Sequence, residues 1–248
     1  MKEKYKVVLL ALAAVALLTA STTMWAGTNL GLQLTASSPD PGQATICDNN
    51  VNFPGCTGNS SDLNPALGQI TFIGAVGGWT SNVTSGFGPP FEQLVPLLDI
   101  SSFNASVGSG AGPMTILLSV TGLTGPSGIQ TFLNSIGGTN SFAGTTVSTQ
   151  AWLSNTNVAF CASTTCGVAI TPVVTMSGAA FSGMANGSTV LGSGPFSVTL
   201  AVTINTDGQA DTTSFDDSLA LPEPASLSLL GSGLLGFGMA FRRMLLRG

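Results

Sequence analysis

The 248-residue sequence predicts an all-β protein whose main domain is a single antiparallel β-sandwich of jelly-roll-like type. Short runs rich in Val, Ile, Thr and Phe are separated by clusters of Gly, Pro, Asn and Ser, which is the pattern of strands and turns. No window keeps the apolar spacing of an amphipathic helix without a Gly or Pro inside it. We see no fixed internal period, and this disfavours a solenoid, the main rival architecture.

Nine strands are predicted in chain order, at residues 29–35, 69–76, 97–105, 114–121, 145–153, 158–161, 173–181, 196–205 and 213–220. Residues 39–67 show little alternation and are predicted to form a long loop. The last two strands are predicted to pair as a hairpin around Asp207-Gly208. Apolar residues recur on both sides of that turn, at Val198, Leu200, Val202, Ile204, Phe215 and Leu219.

The amino-terminal residues 1–26 predict a secretory signal peptide that is removed on export. Lys2, Lys4 and Lys6 precede an apolar core at residues 7–18. That core is shorter than the roughly 20 residues of a membrane span, which disfavours the alternative of an uncleaved anchor. The predicted domains are therefore the signal peptide at 1–26, the sandwich at 27–220 and a carboxyl-terminal signal at 221–248.

The carboxyl-terminal signal has three parts in a fixed order. They are the motif Pro222-Glu223-Pro224, an uncharged segment at residues 225–241, and a basic tail at 242–248 with Arg242, Arg243 and Arg247. As a helix, the uncharged segment would be about 26 Å long, enough for a thin bilayer. Basic residues beside a span stay cytoplasmic, so the carboxyl terminus is predicted inside and the sandwich outside.

This arrangement resembles the PEP-CTERM sorting signal of Gram-negative bacteria, and the resemblance covers residues 221–248. It implies a transmembrane helix at 225–241, the arginines as a topology stop, and processing by an exosortase-type enzyme in bacteria that make extracellular polysaccharide. The protein would be exported through the inner membrane, anchored transiently, and then held at the cell surface or in a biofilm matrix. An ordinary tail anchor with a proline-rich hinge is the alternative. A sortase signal is excluded because Pro224 and Ala225 stand where Thr and Gly are required.

Between residues 27 and 221 the sequence has no Lys, Arg or His. The same segment carries nine acids, namely Asp40, Asp48, Asp62, Glu92, Asp99, Asp207, Asp211, Asp216 and Asp217. This balance excludes nucleic-acid binding, whose affinity depends on cations that neutralise phosphates. The lack of His also excludes a Ser-His-Asp triad and a His-ligated metal centre, and no cofactor is predicted.

Four cysteines allow three disulfide connectivities, but they fall as two local pairs, Cys47 with Cys56 and Cys161 with Cys166. Each pair lies in turn-rich sequence, where a short loop closes easily. We therefore predict these two disulfides, as expected of an exported protein. A zinc site is the alternative, and it is disfavoured because neither pair has the close spacing of structural zinc ligands.

Composition and tail together favour a non-enzymatic surface or matrix protein associated with exopolysaccharide. A carbohydrate-binding module needs exposed aromatic side chains to stack on sugar rings. Trp79 and Trp152 are the candidates, although burial is the commoner fate of tryptophan. An ice-binding role has little support, because no regular Thr-x-Thr ladder repeats along the chain.

The remaining alternative functions depend on carboxylate side chains. A glycoside hydrolase needs two of them, and Glu92 and Asp99 are the best pair in the sequence, although solvated loop acids are the commoner interpretation. Calcium prefers oxygen ligands, and four acids near the end of the sandwich are weak candidates for it, Asp207, Asp211, Asp216 and Asp217. No complete calcium loop is present, so no metal site is predicted.

Overall fold

The computed structural model describes residues 29–89, 97–124 and 127–221. Within these ranges the chain forms one short 3-10 turn, Asp48–Asn50, and thirteen strands, and it forms no helix able to span a membrane. The strands are β1 Asn29–Ala36, β2 Gly42–Cys47, β3 Gln69–Val76, β4 Trp79–Phe87, β5 Leu98–Val107, β6 Met114–Leu123, β7 Gly128–Asn140, β8 Thr146–Ser154, β9 Val168–Ala169, β10 Val174–Ser177, β11 Ala180–Leu191, β12 Phe196–Asn205 and β13 Asp211–Ala220. The predicted signal peptide and sorting signal lie outside the described residues.

The strands form two antiparallel sheets. The 7-stranded sheet has the order β10-β8-β12-β6-β1-β2, with β9 paired to β8, and the 6-stranded sheet has the order β11-β7-β13-β5-β4-β3. From β5 onward the chain passes repeatedly between sheets, since β5, β7, β11 and β13 belong to the 6-stranded sheet and β6, β8 and β12 to the 7-stranded one. Two sheets with a shared apolar interior confirm the predicted β-sandwich.

The core lies between the inner faces of the two sheets. Alternation directs every second residue of a strand inward, and on β1 the side chains of Leu30, Leu32 and Leu34 are fully buried. The rings of Phe103 on β5 and Phe215 on β13 stack with their centroids 4.6 Å apart. Because residues 27–221 include no Lys, Arg or His, apolar burial and backbone hydrogen bonds stabilise the domain in place of ion pairs.

Several strand predictions are wrong in detail. Residues 158–161 form no strand, because they lie in the loop after β8, and residues 173–181 divide between β10 and the start of β11. The predicted loop at 39–67 contains β2. No sequence pattern predicts β4, β7 and most of β11, because these strands are rich in Gly, Ser, Asn and Thr. Pairing imposes their β structure, and β7 and β11 match residue for residue along the whole of β11.

The predicted final hairpin is also wrong, because β12 and β13 belong to different sheets. β12 pairs with β6 and β8, whereas β13 pairs with β5 and β7. The turn itself is present, since Asp207 and Gly208 have φ angles of 52° and 73°. It carries the chain across the core, so the apolar residues of the two strands face each other through the interior.

The chain enters and leaves the sandwich at one end, which we call the terminal end. Asn29, which begins β1, pairs with Thr121 near the end of β6, and Ala220, which ends β13, pairs with Leu133 of β7. Because β6 leads directly into β7, the last residues of β6 and the first residues of β7 lie at the same end of the sandwich, and so do their partners Asn29 and Ala220. The opposite end, called the distal end, includes the turns at residues 37–41, 77–78, 108–113, 141–145 and 206–210.

Candidate functional site

The outer face of the 7-stranded sheet carries uncharged polar and small apolar side chains. Strand alternation directs them outward from β6, β8 and β12, while the intervening residues enter the core. In register across these strands they form two rows, Thr115, Thr203 and Ser148, then Leu117, Ala201 and Gln150. The hydroxyl oxygens of Thr115 and Thr203 are hydrogen-bonded at 3.3 Å. This face therefore offers hydrogen-bonding groups without charge.

These rows form the floor of a cavity of about 300 Å³, which we call the Trp152 groove. Thr149, Trp152, Ala162 and Val173 complete its lining, and no charged side chain contributes to it. The volume falls at the lower end of the range for small-molecule sites. It suits one or two rings of a longer ligand better than a large compact molecule.

The two tryptophans predicted as candidates for sugar stacking occupy different environments. Trp79 is 1% exposed, and its Nε1 donates to the carbonyl oxygen of Gly112 over 3.0 Å. Trp152 points outward from β8 and is half-buried at the groove. Trp79 is thus a core residue, whereas Trp152 presents part of its aromatic surface to the groove.

The loop at residues 155–167 forms one wall of the groove. The Cys161–Cys166 disulfide closes this loop, and the adjacent Ala162 lines the groove. The backbone N–H of Phe160 donates to Ser119 Oγ on β6 over 3.1 Å, which fastens the loop to the sheet. The disulfide and this hydrogen bond therefore limit the movement of the wall.

Gln150 is held in place on the floor of the groove. Its Nε2 donates to the carbonyl oxygen of Thr171 over 3.0 Å, and Thr171 Oγ1 accepts from the backbone N–H of Ala151 over 3.0 Å. These bonds tie the segment before β10 to β8, and Val173 of the groove lining follows in that segment. These hydrogen bonds consequently limit the movement of the floor and of this side of the groove.

Both predicted disulfides are present, Cys47–Cys56 and Cys161–Cys166. The first closes the loop after β2, where Phe53 and Cys56 exchange backbone hydrogen bonds. The second closes the wall of the Trp152 groove. Disulfides persist in oxidising compartments, and export itself stays a prediction.

A second cavity, of about 680 Å³, lies on the outer face of the 6-stranded sheet, and three carboxyl residues contribute to its lining, Asp99, Asp216 and Asp217. Burial and the charge of Asp216 raise the pKa of Asp99 to about 6. Asp216 accepts a hydrogen bond from the backbone N–H of Ser102 over 2.6 Å. Glu92, the predicted partner of Asp99, lies outside the described residues. Asp216 is the carboxylate that β13 places beside Asp99.

Asp217 is fully buried between the two sheets. Its Oδ2 accepts from Thr149 Oγ1 over 2.5 Å, and that hydroxyl accepts from Asn134 Nδ2 over 2.9 Å. Asp217 Oδ1 and Asn134 Oδ1 are buried without a partner among the described residues. Burial and the charge of Asp99 raise the pKa of Asp217 to about 8, although the Thr149 hydrogen bond opposes the shift. The carboxyl group is therefore mostly protonated at pH 7 in the folded protein.

The four weak calcium candidates do not share one site. Asp207 lies exposed in the turn before β13, Asp216 faces solvent, and Asp217 faces the core. Asp211 is 4% exposed, and four donors occupy its two carboxylate oxygens, namely Ser141 Oγ, the Phe142 backbone N–H, Thr145 Oγ1 and Thr213 Oγ1. In the described part of the chain, no group of three or more His, Cys, Asp or Glu side chains is placed to hold a metal ion.

Most of the groove residues carry no recognisable signal in the sequence. Thr115, Ser148, Gln150 and Thr203 belong to no motif, and their alternation with buried neighbours indicates strand structure alone. The segment Thr146 to Trp152 does contain a signal, because every second residue there is polar or aromatic and faces outward. Grouping it with β6 and β12 required the strand register, which a single sequence does not provide.

No family model matches the chain, and no curated protein matches it. Among solved structures, a carbohydrate-binding module studied for the promiscuous specificity of its β-sandwich superfamily is 12% identical, with a TM-score of 0.34, and the match covers 80% of this chain and 87% of that one. TmCBM61 in complex with β-1,4-galactotriose is 11% identical, with a TM-score of 0.27, 48% of this chain covered and 71% of that chain.

The enzymatically active domain of tailspike protein 4 from bacteriophage CBA120 is 13% identical, with a TM-score of 0.31, and the match covers 63% of this chain and 20% of that one. At such low identities and TM-scores, these likenesses transfer neither a ligand nor a residue role. The chain's own side chains define its class, which is a two-sheet β-sandwich with an uncharged, tryptophan-lined groove on one outer face.

Proposed function

We propose that this chain is an exported, non-enzymatic cell-surface protein whose β-sandwich binds an uncharged polysaccharide in the Trp152 groove. The observation that carries the proposal is the half-buried indole of Trp152 beside rows of hydroxyl and amide groups. A sugar ring has an apolar face of C–H bonds and an edge of hydroxyl groups. An aromatic surface next to hydrogen-bonding side chains therefore matches it on both counts.

The charge of the domain favours an uncharged polymer over an acidic one. Residues 27–221 carry nine acids and no cation, and no charged side chain lines the groove. A polysaccharide of uronic acids would meet repulsion from the domain and no compensating ion pair. Neutral hexose or pentose polymers avoid that cost and still use the hydroxyl groups of the floor.

Replacing Trp152 with Ala is expected to weaken polysaccharide binding by about tenfold or more, which corresponds to about 1.4 kcal/mol. The change removes the stacking surface and leaves the floor of the groove intact. Trp152→Phe is expected to keep part of the affinity, because a smaller aromatic ring remains. Affinity electrophoresis against a panel of neutral and acidic polysaccharides measures the effect.

The matched control is Met184→Ala, which removes a 67% exposed apolar side chain from the other sheet. It is expected to bind as the unaltered protein does. Equal affinity of Trp152→Ala and the unaltered protein for every polymer would show that the groove is not the binding site. Release of reducing ends that is lost in Asp99→Asn would contradict the non-enzymatic assignment and point to the Asp99 and Asp216 cavity.

We further propose that an exosortase-type enzyme processes the carboxyl-terminal tail. The fold supports this because β13 ends at Ala220 and Leu221 is 7% exposed in the core, so Pro222-Glu223-Pro224 directly follows a residue of the core. Cleavage at or after the motif would remove none of the core residues described above. The two disulfides agree with maturation outside the cytoplasm.

Mass spectrometry of the mature surface protein is expected to find a carboxyl terminus upstream of the uncharged segment at 225–241. The variant Glu223→Ala is expected to retain the tail, since the motif is the feature that the resemblance assigns to recognition. A mature protein that still ends at Gly248 would contradict the sorting proposal. That outcome would leave the polysaccharide proposal standing, because the groove does not involve the tail.

A further inference from the structure

The tail leaves the sandwich close to the proposed membrane span. Leu221 is packed in the core at the terminal end, and the uncharged segment begins four peptide steps later, at residue 225. An extended chain covers at most about 3.5 Å per residue, so the folded domain is tethered within roughly 14 Å of the span. The headgroup layer occupies much of that distance. The terminal end is consequently the part of the domain that faces the bilayer.

The paired strands β7 and β11 extend past the point where the tail leaves. Ala220 is the last residue of β13 and pairs with Leu133, while residues 128–132 of β7 continue beyond it in register with β11. Because β7 is antiparallel to β13, this extension continues in the direction in which β13 runs at Ala220. At about 3.3 Å per residue, Ile129 lies roughly 13 Å beyond Ala220 along the strand. The extension and the stretched tether therefore have similar lengths.

Two large apolar side chains are exposed on this extension. Ile129 and Val190 are direct partners in the β7–β11 register, and they are 74% and 62% exposed. Adjacent apolar side chains gain free energy when they enter a lipid interface. The described turns of the distal end instead carry polar residues, including Asp40, Ser109 and Asp207. The two ends of the sandwich therefore differ in chemistry as well as in distance from the span.

We propose that Ile129 and Val190 rest on the bilayer surface while the tail anchors the precursor. The inference depends on the proposed sorting function, because the tail must be inserted to hold the extension at the membrane. The contact is apolar and needs no anionic lipid, since residues 27–221 contain no cation. It tilts the outer face of the 6-stranded sheet toward the bilayer at the terminal end, and the Trp152 groove, on the outer face of the other sheet, faces away from the bilayer.

The test uses the full chain reconstituted into phosphatidylcholine vesicles. Its cysteines are paired, so the single variants Ile129→Cys and Ser109→Cys each provide one site for a small environment-sensitive fluorophore. The vesicles contain lipids with a nitroxide quencher near the headgroup end of the acyl chain. Quenching is expected to be several-fold stronger at position 129 than at position 109. A label on Val190→Cys is expected to behave as the label at position 129 does.

Flotation of the vesicles distinguishes the possible failures. Protein that does not float with the vesicles would overturn the membrane anchor and this inference together. Protein that floats while positions 129 and 109 are quenched equally would overturn the inference and leave the anchor intact. A blue-shifted but unquenched label at position 129 would show that a second copy of the chain covers the extension, and it would also overturn the bilayer contact.

Discussion

Replacing Asp217 with Asn is expected to raise the free energy of unfolding at pH 7 by about 4 kcal/mol. Asp217 is fully buried, and its pKa rises from the ordinary value of 3.8 to about 8 because of burial and the charge of Asp99. Asparagine is neutral at every pH and has nearly the same shape. It also keeps an oxygen to accept the hydrogen bond from Thr149 Oγ1.

The pH dependence follows from the direction of the shift. Between pH 4 and pH 8 the folded protein retains a proton on Asp217 that the unfolded chain releases, so the contribution of this group to stability decreases as the pH rises. The amide of the Asp217→Asn variant does not titrate and has no such dependence. The difference between the two proteins is therefore expected to be less than about 1 kcal/mol at pH 4 and to grow toward neutral pH.

Guanidinium unfolding of both proteins at pH 4, 5.5 and 7 measures this difference. The matched control is Asp207→Asn, which changes an exposed carboxylate in the turn before β13 and is expected to shift stability by about 0.5 kcal/mol or less. Burial and the charge of Asp216 raise the pKa of Asp99, and both are present in the unaltered protein and in the Asp217 variant. Comparing these two proteins at each pH therefore cancels the contribution of Asp99 to stability. A lower stability of Asp217→Asn at pH 7 would contradict the prediction.

The fold class was predictable because strands that bury a full face keep apolar alternation in sequence. β1, β6 and β12 are such strands, and their predicted ranges match the observed ones closely. β7 and β11 were not predictable, because their side chains are small or polar and their structure depends on mutual pairing. The turn at Asp207-Gly208 shows a further limit. Local sequence identifies a turn, but the sheet that receives the next strand is a tertiary property.

The candidate site was predictable only in part, again because strand alternation is visible in the sequence and strand pairing is not. Both tryptophans lie on predicted or observed strands, and the side of the strand decides that Trp79 enters the core and Trp152 faces the groove. The partners of Trp152 come from strands distant in sequence, so composition alone did not group them. The carboxylates show the same dependence on context. Asp99 lies beside Asp216, although the sequence predicts Glu92 as its partner.

Asp211 provides the second large expected effect, with the opposite dependence on pH. Asp211→Ala is expected to lower the free energy of unfolding at pH 7 by roughly 3–5 kcal/mol, because several hydrogen bonds to a charged acceptor are lost and buried donors are left unsatisfied. Burial by itself would raise the pKa of Asp211. Hydrogen bonds from Thr145, Ser141 and the Phe142 backbone outweigh burial and hold the pKa below 3.8.

These hydrogen bonds explain why the loss should be large and where it should be felt. Four donors converge on the carboxylate, and three of them belong to the 141–145 turn that joins β7 to β8. Without the carboxylate, the backbone N–H of Phe142 and nearby hydroxyl groups lose a buried acceptor. The turn should therefore open first, and amide exchange at Phe142 and Thr145 is expected to accelerate more than exchange in β12.

The pH profile separates this role from simple packing. A carboxylate with a lowered pKa contributes stability above the unfolded value of 3.8, and the contribution is lost as the pH falls through the lower folded value. The difference between the unaltered protein and Asp211→Asn should consequently shrink below pH 3.8, opposite in direction to the Asp217 effect. Asp207→Asn is the matched control, because Asp207 is exposed in the neighbouring turn at a φ of 52° that asparagine tolerates. Equal losses for Asp207→Asn and Asp211→Ala at pH 7 would show that the hydrogen-bond network around Asp211 does not hold the turn.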